Sequence, residues 1–424
     1  MNAVFVILIL GAILVGAAQE VGWLVATATQ PLNALTEEMI RSAKSAVDLS
    51  LGLIGIMAFF LGLMKIVEQG GALAILARLI RPLLVRLFPQ VPAGHPAMGA
   101  MIMNISANML GLGNAATPFG IRAMQELDRL NPHKGTASDA MTLFLAINTS
   151  GVTLFPTSVM ALRASLGSQD PAAIVPTTLI ATLFGTVVSV AVALWARRFY
   201  PLPPVPEGFR ESAPDQPEPE GPRSDYPPWI TWSALVLFLS IIPLTLLFGR
   251  TLSPWVLPGM TASFLLFGLW KRVRIYEAFV EGAKEGFQIA VQIIPYLVAI
   301  LVAVGMFRAS GALGWLVSLL GALTTPLGLP PEALPMALLR PFSGSGAYGV
   351  MTAIMQDPRH GPDSYVGLLV STLQGASETT FYVLAVYFGA VRIQRIRQAL
   401  LAGLAGDVAS TVAAVVTCSW LVRP

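Results

Sequence analysis

Long apolar runs alternate with short polar segments along the whole chain. Each run approaches or reaches the ~20 residues that an α-helix needs to cross the hydrocarbon of a bilayer. The clearest runs are 48–67, 139–162, 172–196, 230–248, 254–270, 289–307 and 399–421. This pattern predicts an all-α polytopic membrane protein.

Two polar segments interrupt this pattern at corresponding places of the two halves. Residues 103–120 (MNISANMLGLGNAATPFG) and 342–349 (FSGSGAYG) are rich in Asn, Ser, Thr and Gly. Non-helical backbone is tolerated at membrane depth only where protein or a water-filled cavity satisfies its polar groups. Paired broken segments in the two halves of a membrane protein are typical of a transport site. We therefore expect re-entrant, broken helical hairpins at both places.

The order of the elements also repeats. A Pro-rich hydrophilic linker at 201–228 separates a membrane repeat at 1–200 from a second one at 229–424. Gly71-Ala72-Leu73 recurs as Gly311-Ala312-Leu313, and an amphipathic stretch occurs early in each half, at 34–47 and 275–288. Such stretches suit helices that lie at the membrane interface. The alternative is two unrelated helical halves with chance matches.

The distribution of basic residues indicates how the two repeats are oriented. Cytoplasmic loops hold the excess of Lys and Arg. If both polar segments are re-entrant hairpins, most of the 26 basic residues, and the linker, lie on the cytoplasmic side. The second copy is then upside down, so we expect inverted-topology repeats in a cytoplasmic (inner) membrane. If 96–121 instead spans the bilayer fully, the inversion fails.

Composition narrows the classes of function. Hydrophobic residues make up 55% of the chain and charged residues only 12%, and mean hydropathy is +0.70. A net charge of +3 gives no reason to expect nucleic acid. One Cys and three scattered His argue against disulfides and structural zinc, so we expect no metal and no cofactor. The G-x-G-x-x-G match at 344–349 lacks the βαβ context of a dinucleotide site, and nothing else indicates an enzyme or catalytic residues.

The polar segments supply the candidate solute-binding residues. They are amides and hydroxyls, with one carboxylate: Asn104, Asn108, Asn114, Thr117, Asn148, Ser150, Ser343, Ser345, Ser377, Glu378 and Thr379. Around a midplane cavity they would suit an uncharged polar or zwitterionic solute better than a bare anion. The competing interpretation is close helix packing, because small and hydroxylated residues also let membrane helices approach.

Two acids in apolar surroundings are candidates for ion coupling. An ionisable residue within a membrane segment is rare and by default functional. Glu378 and Asp407 both fit this description, and either could carry a coupling proton. For Glu378 the alternative is a position at the membrane surface.

Several long motifs resemble known families. NISANMLGLGNAATPFGIRAMQEL, INTS and FPTSVMALR resemble the spore maturation A family, whereas GAKEGF, LRPFSGSGA, GPDS and GASETTFYVLAVYFG resemble the spore maturation B family. The chain looks like a fusion of the two, within the nucleoside-recognition (gate) family of membrane proteins. The resemblance implies inverted repeats similar to concentrative nucleoside transporters. It also implies that Ser377-Glu378-Thr379, and more loosely 113–117, correspond to a solute-holding motif.

Two functions remain open on this basis. One is a secondary transporter or permease for a small polar solute, nucleoside-like or zwitterionic, coupled to H+ or Na+. The other is a non-transporting membrane factor in spore or cell-envelope maturation, which could handle a lipid-linked headgroup. Membrane lipid is a partner in both, and a homo-oligomer is compatible with either.

Overall fold

The structure is a computed structural model. It describes residues 2–25, 30–111, 113–202, 229, 233, 240, 255, 257–315, 324 and 328–422. The linker at 201–228 lies almost wholly outside the described residues, as does the apolar run at 230–248. Within the described ranges the secondary structure is helical, apart from one isolated bridge between Thr136 and Arg395.

Fifteen helices are named here in chain order. They are α1 Asn2–Glu20, α2 Pro31–Gln69, α3 Ala72–Leu87, α4 Pro96–Met109, α5 Gly113–Arg129, α6 Asp139–Thr149, α7 Thr157–Ser165, α8 Ile174–Ala196, α9 Leu257–Trp270, α10 Ile275–Ala309, α11 Leu334–Leu339, α12 Gly344–Met355, α13 Tyr365–Ala376, α14 Thr380–Ala390 and α15 Ala399–Val422.

Within the described ranges, three stretches of helix are long and apolar enough to cross a membrane. They are Pro31–Gln69, Pro171–Phe199 and Ala399–Leu421. Shorter apolar helices at Phe5–Glu20, Leu257–Trp270 and Leu297–Ala309 add to them. The chain is therefore a multi-pass, helical membrane protein, as its hydropathy pattern predicts.

The amphipathic stretches 34–47 and 275–288 are not separate interfacial helices, so that expectation was wrong. Each is the first part of a longer continuous helix, α2 or α10. These two helices pack against each other over most of their length. Near one end of the pair, Lys65 Nζ of α2 donates to Glu285 Oε1 of α10 at 2.8 Å. This pairing between the two helices explains why Lys65 and Glu285 are tolerated on helices that enter the membrane.

The same series of elements occurs twice. A long helix (α2 or α10) is followed by a helical hairpin, then by a helix broken in its middle, then by a continuous spanning helix. Hairpin 1 is α4–α5 and hairpin 2 is α11–α12; broken helix 1 is α6–α7 and broken helix 2 is α13–α14. The spanning helices α8 and α15 close the two series and cross each other tightly. At the crossing a Cβ on Gly406 would lie 3.3 Å from Gly185 O, and a Cβ on Gly185 would lie 3.1 Å from Gly406 O.

Two arginine clusters hold the ends of the broken helices. In latch 1, Arg397 Nη1 donates to Asp139 Oδ1 at 2.7 Å and Arg397 Nε donates to Tyr200 O at 3.0 Å. In latch 2, Arg163 Nη2 donates to Asp363 Oδ1 at 3.0 Å and to Asp170 O at 3.1 Å. Arg163 lies in the last turn of α7 and Arg397 follows α14, so each arginine comes at the end of one broken helix and binds the start of the other.

These latches establish that the repeats are inverted. Asp170 and Tyr200 flank the helical stretch Pro171–Phe199, whose 29 residues make a rod of ~43 Å. The two latches therefore lie at opposite ends of a membrane-spanning helix. Broken helix 1 runs from latch 1 to latch 2, and broken helix 2 runs from latch 2 to latch 1. The two broken helices are antiparallel, as an inverted repeat requires.

Candidate functional site

The two breaks meet in the middle of the molecule. Helix α6 ends at Thr149 and α13 ends at Ala376. The Glu378 backbone N–H, in break 2 (residues 377–379), donates to Thr149 O at 2.8 Å, next to break 1 (residues 150–156). Carbonyls at the end of one helix are thus satisfied by the unwound backbone of the other repeat.

Each hairpin is fastened to the break of its own repeat. Leu154 N donates to Met109 O at 2.9 Å in the first half, and Phe381 N donates to Pro341 O at 3.0 Å in the second. Since each break belongs to a membrane-crossing helix, these bonds place both hairpin tips at the breaks. The inverted repeat therefore brings four irregular segments together.

The two breaks have different local causes. Break 1 contains Pro156, which has no backbone N–H and disfavours helix at the preceding residue. Break 2 contains no proline, and Ser377 is fully extended with φ −150° and ψ 163°. Here the guanidinium of Arg340 replaces helical hydrogen bonds, since it donates to the carbonyls of Gln374 (3.1 Å) and Ser377. A cation at the carboxyl end of α13 also complements the helix dipole.

A cavity of about 260 Å³ lies where the four segments converge. It is lined by Asn108 and Gly111 from hairpin 1, Gly344 from hairpin 2, and Thr153 with residues 155–159 around break 1. Gln374, Ser377 and Glu378 line it from broken helix 2, together with Arg340. Its volume lies just below the ~300–1,000 Å³ of typical small-molecule pockets. The lining is mostly polar, which is unusual for the interior of a membrane protein.

Glu378 is the acidic residue that lines this cavity. Its side chain is exposed although its neighbours Ser377 and Thr379 are buried. Among the described residues no ion pair joins its carboxylate to a cation. Glu378 is therefore available to a molecule in the cavity.

Arg340 is the cation of the site, and it is buried, with 6% of its surface exposed. Besides the two carbonyls, its Nη1 donates to Thr379 Oγ1 at 3.0 Å. All three acceptors are neutral groups of broken helix 2. The carboxylates of Glu378 and Asp407 are the two acids in electrostatic contact with it.

A second, much smaller cavity is also lined by Arg340. Its volume of about 10 Å³ is the size of one water position, and Arg340, Ser377, Ser410 and Asp407 are among the residues that line it. Asp407 is 7% exposed, and its Oδ2 accepts a 2.7 Å hydrogen bond from Thr380 Oγ1. Its Oδ1 has no well-formed hydrogen bond within the described part of the chain.

The first repeat contributes a neutral network instead. Asn108 Nδ2 donates to Asn148 Oδ1 at 3.0 Å, which connects hairpin 1 to broken helix 1. Asn104 Nδ2 donates to Ala116 O at 2.7 Å within the hairpin and to Tyr387 Oη at 3.1 Å. Asn104 and Asn148 are almost fully buried. They therefore hold hairpin 1 in place, and Asn108 is the asparagine of this network that lines the cavity.

The other residues that the sequence singles out serve local structure. Ser150 Oγ donates to Ala146 O at 2.8 Å, and Ser343 caps α12 by accepting from Gly346 N at 2.9 Å. Ser345 is half-buried in α12 and is not among the described residues that line the cavity.

Thr117 and Asn114 are the other predicted site residues of hairpin 1. Thr117 is half-buried in α5. The side chain of Asn114 lies outside the described residues.

Sequence reasoning missed Arg340 and Gln374. Arg340 follows the apolar stretch ALPMALL, so the rule that selected Glu378 applies to it equally. Its position before Pro341 instead suggests a loop on the outer face. Gln374 gave no signal in the sequence, since glutamine is unremarkable near a helix end.

Comparisons with known proteins identify the family of this chain. The Gate family, described as nucleoside recognition, matches residues 50–166 and 290–394. Spore maturation protein A of Bacillus subtilis (strain 168) is 43% identical over 172 residues, which are 41% of this chain and 88% of that protein. Spore maturation protein B of the same organism is 46% identical over 170 residues, which are 40% of this chain and 94% of that protein.

Among solved structures, a double mutant of CNTnw in an outward-facing state aligns with a TM-score of 0.45 and 15% identity. The alignment covers 98% of this chain and 92% of that one. The two segments matched by the family together make up more than half of the 424 residues. The chain belongs to the Gate, or nucleoside recognition, family and is homologous to spore maturation proteins A and B.

Proposed function

We propose that this protein is a permease for a small polar solute, nucleoside-like or zwitterionic, which binds in the 260 Å³ cavity. The observation that carries the proposal is the convergence of both hairpins and both breaks on one polar cavity that exposes Glu378. A scaffold protein gains nothing from an exposed carboxylate between inverted repeats. The description of the family as nucleoside recognition supports the same class of solute.

The chemistry of the lining favours hydrogen-bond donors on the solute. Glu378 accepts hydrogen bonds, whereas the donors of Arg340 are directed at neutral acceptors of broken helix 2. Asn108 and Gln374 can each donate and accept without adding charge. Ribose hydroxyls or an ammonium group would satisfy Glu378, and a bare anion would be repelled. Ser377 and Thr379 belong to the same site. The side chains of Asn104, Asn148, Ser150 and Ser343 support this site through their hydrogen bonds to the surrounding helices.

The proposed setting is the cytoplasmic membrane, with the 201–228 linker in the cytoplasm. The end of α8 supports this orientation, because Arg197 and Arg198 precede the linker and the Arg198 guanidinium lies 4.6 Å from the Trp195 ring. Aromatic residues mark a membrane interface on either side, and an excess of basic residues marks the cytoplasmic one. A coupling ion, H+ or Na+, belongs to the proposal, with either Glu378 or Asp407 as its carrier.

Thermal stabilisation tests the proposal. The purified full-length protein in detergent is heated with uridine, adenosine, glycine or glutamine, and with uridine monophosphate as the anionic comparison. We expect at least one neutral or zwitterionic solute to raise Tm, since a ligand that binds only the folded state stabilises it, and we expect the nucleotide to have no effect. No shift with any of the four solutes would contradict the proposal.

A second candidate function is a non-transporting factor in envelope or spore maturation. The names of the two relatives favour it. In that case the polar segments would pack helices or recruit a partner, and Tm would be independent of all five compounds. Substitution of Glu378 would then leave the protein's role in maturation unchanged.

A further inference from the structure

Asp407 lies outside the cavity of the proposed solute site. Its carboxylate does not line the large cavity; it lines the water-sized one, together with Arg340 and Ser377. Glu378 has the opposite placement, because it lines the large cavity and not the water-sized one. Arg340 lines both. One guanidinium thus stands between an exposed carboxylate and a buried one.

The charged groups that face Asp407 can be named element by element. Helix α8 carries no titratable residue, and α13 carries only Tyr365, at its far end. Helix α14 carries Tyr382 and Tyr387, while α6 carries Asp139, which is engaged in latch 1. On α15 itself the other titratable residue within the described part is Cys418, three turns away.

Hairpin 2 supplies Arg340, and break 2 supplies Glu378. Arg340 is therefore the cation, among the described residues, that can balance Asp407.

The charges of this cluster do not balance. Two carboxylates share one guanidinium, so the fully ionised cluster has a net charge of −1. A buried, uncompensated charge is costly and is relieved when a carboxylate takes up a proton. The proton belongs on Asp407, since Glu378 is exposed to the cavity whereas Asp407 is 7% exposed. Thr380 Oγ1 donates to Oδ2, whereas Oδ1 has no well-formed hydrogen bond within the described part of the chain and can carry the proton, with the Ser377 hydroxyl beside the carboxylate.

The first repeat has a neutral residue at the position that corresponds to Asp407. Residues 183–189 (LFGTVVS) and 404–410 (LAGDVAS) share Leu, Gly, Val and Ser in the same order, and Thr186 occupies the position of Asp407. The Thr186 hydroxyl donates to Ser150 O in break 1, as Thr380 and Asp407 interact beside break 2. The residue at this position thus makes a hydrogen bond beside the break in both repeats, but it is ionisable only in the second.

We infer that Asp407 is a proton-binding site that Arg340 connects to the solute cavity, with Glu378 as the solute contact and Arg340 as the positioning residue between them. This deepens the proposed function and rests on it for the identity of the ligand at Glu378. When a solute neutralises Glu378, the repulsion between the two carboxylates is removed and Arg340 is left to pair with Asp407, which favours release of the proton from Asp407. By reciprocity, a proton on Asp407 weakens the binding of a cationic group at Glu378.

Infrared difference spectroscopy tests the inference without a solute. The purified full-length protein is titrated with pH while the carboxylic-acid carbonyl band is followed. We expect a band from a buried protonated carboxyl that Asp407→Asn abolishes and that Glu332→Gln, a carboxylate in the loop before α11, leaves unchanged. In Glu378→Gln the band should persist but titrate at a pH lower by about one unit, a tenfold loss of proton affinity.

Arg340 is tested in the same experiment. Arg340→Lys keeps the cation, so adding Glu378→Gln to it should still lower the titration midpoint by about the wild-type amount, whereas in Arg340→Gln, where only the direct repulsion between the two carboxylates remains, the same addition should lower the midpoint by less. If Arg340→Gln does not fold, the shift caused by Glu378→Gln alone still decides the matter. A band that survives Asp407→Asn, or an unchanged midpoint in Glu378→Gln, overturns the inference. A correct titration with no solute in the Tm panel would instead contradict the proposed function and leave the proton site standing.

Discussion

The two repeats share their architecture but differ in charge. Each has a hairpin fastened to a broken helix and a spanning helix that crosses its counterpart at a glycine. Around break 1 the polar groups are neutral, with Asn108, Asn148 and Thr186 as examples. Around break 2 they include Arg340, Glu378 and Asp407.

The difference indicates a division of labour. A duplicated fold needs the same backbone solution twice, because every unwound carbonyl at membrane depth must find a donor. Charge is needed only where a solute or proton is handled. The first repeat therefore shapes the cavity, and the second carries the chemistry.

The largest effect should come from removing the buried cation. Arg340→Met leaves the carbonyls of Gln374 and Ser377 without donors and Asp407 without a counter-charge. We expect a loss of about 3–5 kcal/mol, typical of breaking a buried ionic cluster by deleting one partner. Urea or thermal unfolding in detergent measures it. Met109→Leu, at the matching tip of hairpin 1, is the control and should cost about 1 kcal/mol or less, as a volume-conserving swap does.

Exchanging the charge between the repeats sharpens the comparison. Thr186→Asp places a carboxylate in the first repeat, where the hydrogen-bond partner of this position among the described residues is the neutral Ser150 O, so we expect a loss of about 2–4 kcal/mol at neutral pH. Asp407→Thr removes a carboxylate and should cost only about 1 kcal/mol, since one hydrogen bond is lost. Equal losses in the two variants, measured by thermal unfolding, would contradict the asymmetry.

The hydropathy pattern predicted the helical class, the paired re-entrant hairpins and the inversion, because these follow from apolar length and loop charge, but it indicated one uninterrupted run at 139–162 and did not predict break 1. Glu378 was found because an acid in an apolar run is conspicuous. Arg340 was missed since its position next to proline resembles a loop, and its role depends on carbonyls of a helix more than thirty residues later. The neutral network around Tyr387 was not predictable, because it joins α4, α6 and α14 across the repeats. The domain boundaries at 1–200 and 229–424 stay a prediction.

The latches should contribute similarly in both repeats. Arg163→Gln and Arg397→Gln each remove a charge-assisted hydrogen bond to an aspartate, so each should cost about 1.5–3 kcal/mol. Combining Arg163→Gln with Asp363→Asn should cost little more than the first change alone. Unfolding of the two single variants and the double variant measures this. A large loss at one latch and none at the other would show that the repeats are not equivalent at their ends.

The smallest effect concerns an exposed pair of the second repeat. Arg359 bonds the Asp357 carboxylate in the loop after α12 and lowers the pKa of Asp357 from 3.8 to about 2. A lowered pKa contributes stability above the unfolded value, and this contribution is lost as pH falls from about 4 through 2. Asp357→Asn should therefore cost about 0.5 kcal/mol at neutral pH, as solvent-exposed pairs do. Tm at pH 7 and pH 3 checks it, with the difference smaller at pH 3.

The most direct test of the account is the response of Glu378→Gln to a solute that stabilises the wild-type protein. The variant keeps the shape and hydrogen bonding of the side chain but removes its charge. We predict an unchanged Tm without solute and a ~10–100-fold weaker apparent affinity, the loss of one charge-assisted hydrogen bond of ~1.5–3 kcal/mol. Glu332→Gln should behave like wild type. An unchanged affinity in Glu378→Gln would contradict the assignment of the solute site to the second repeat.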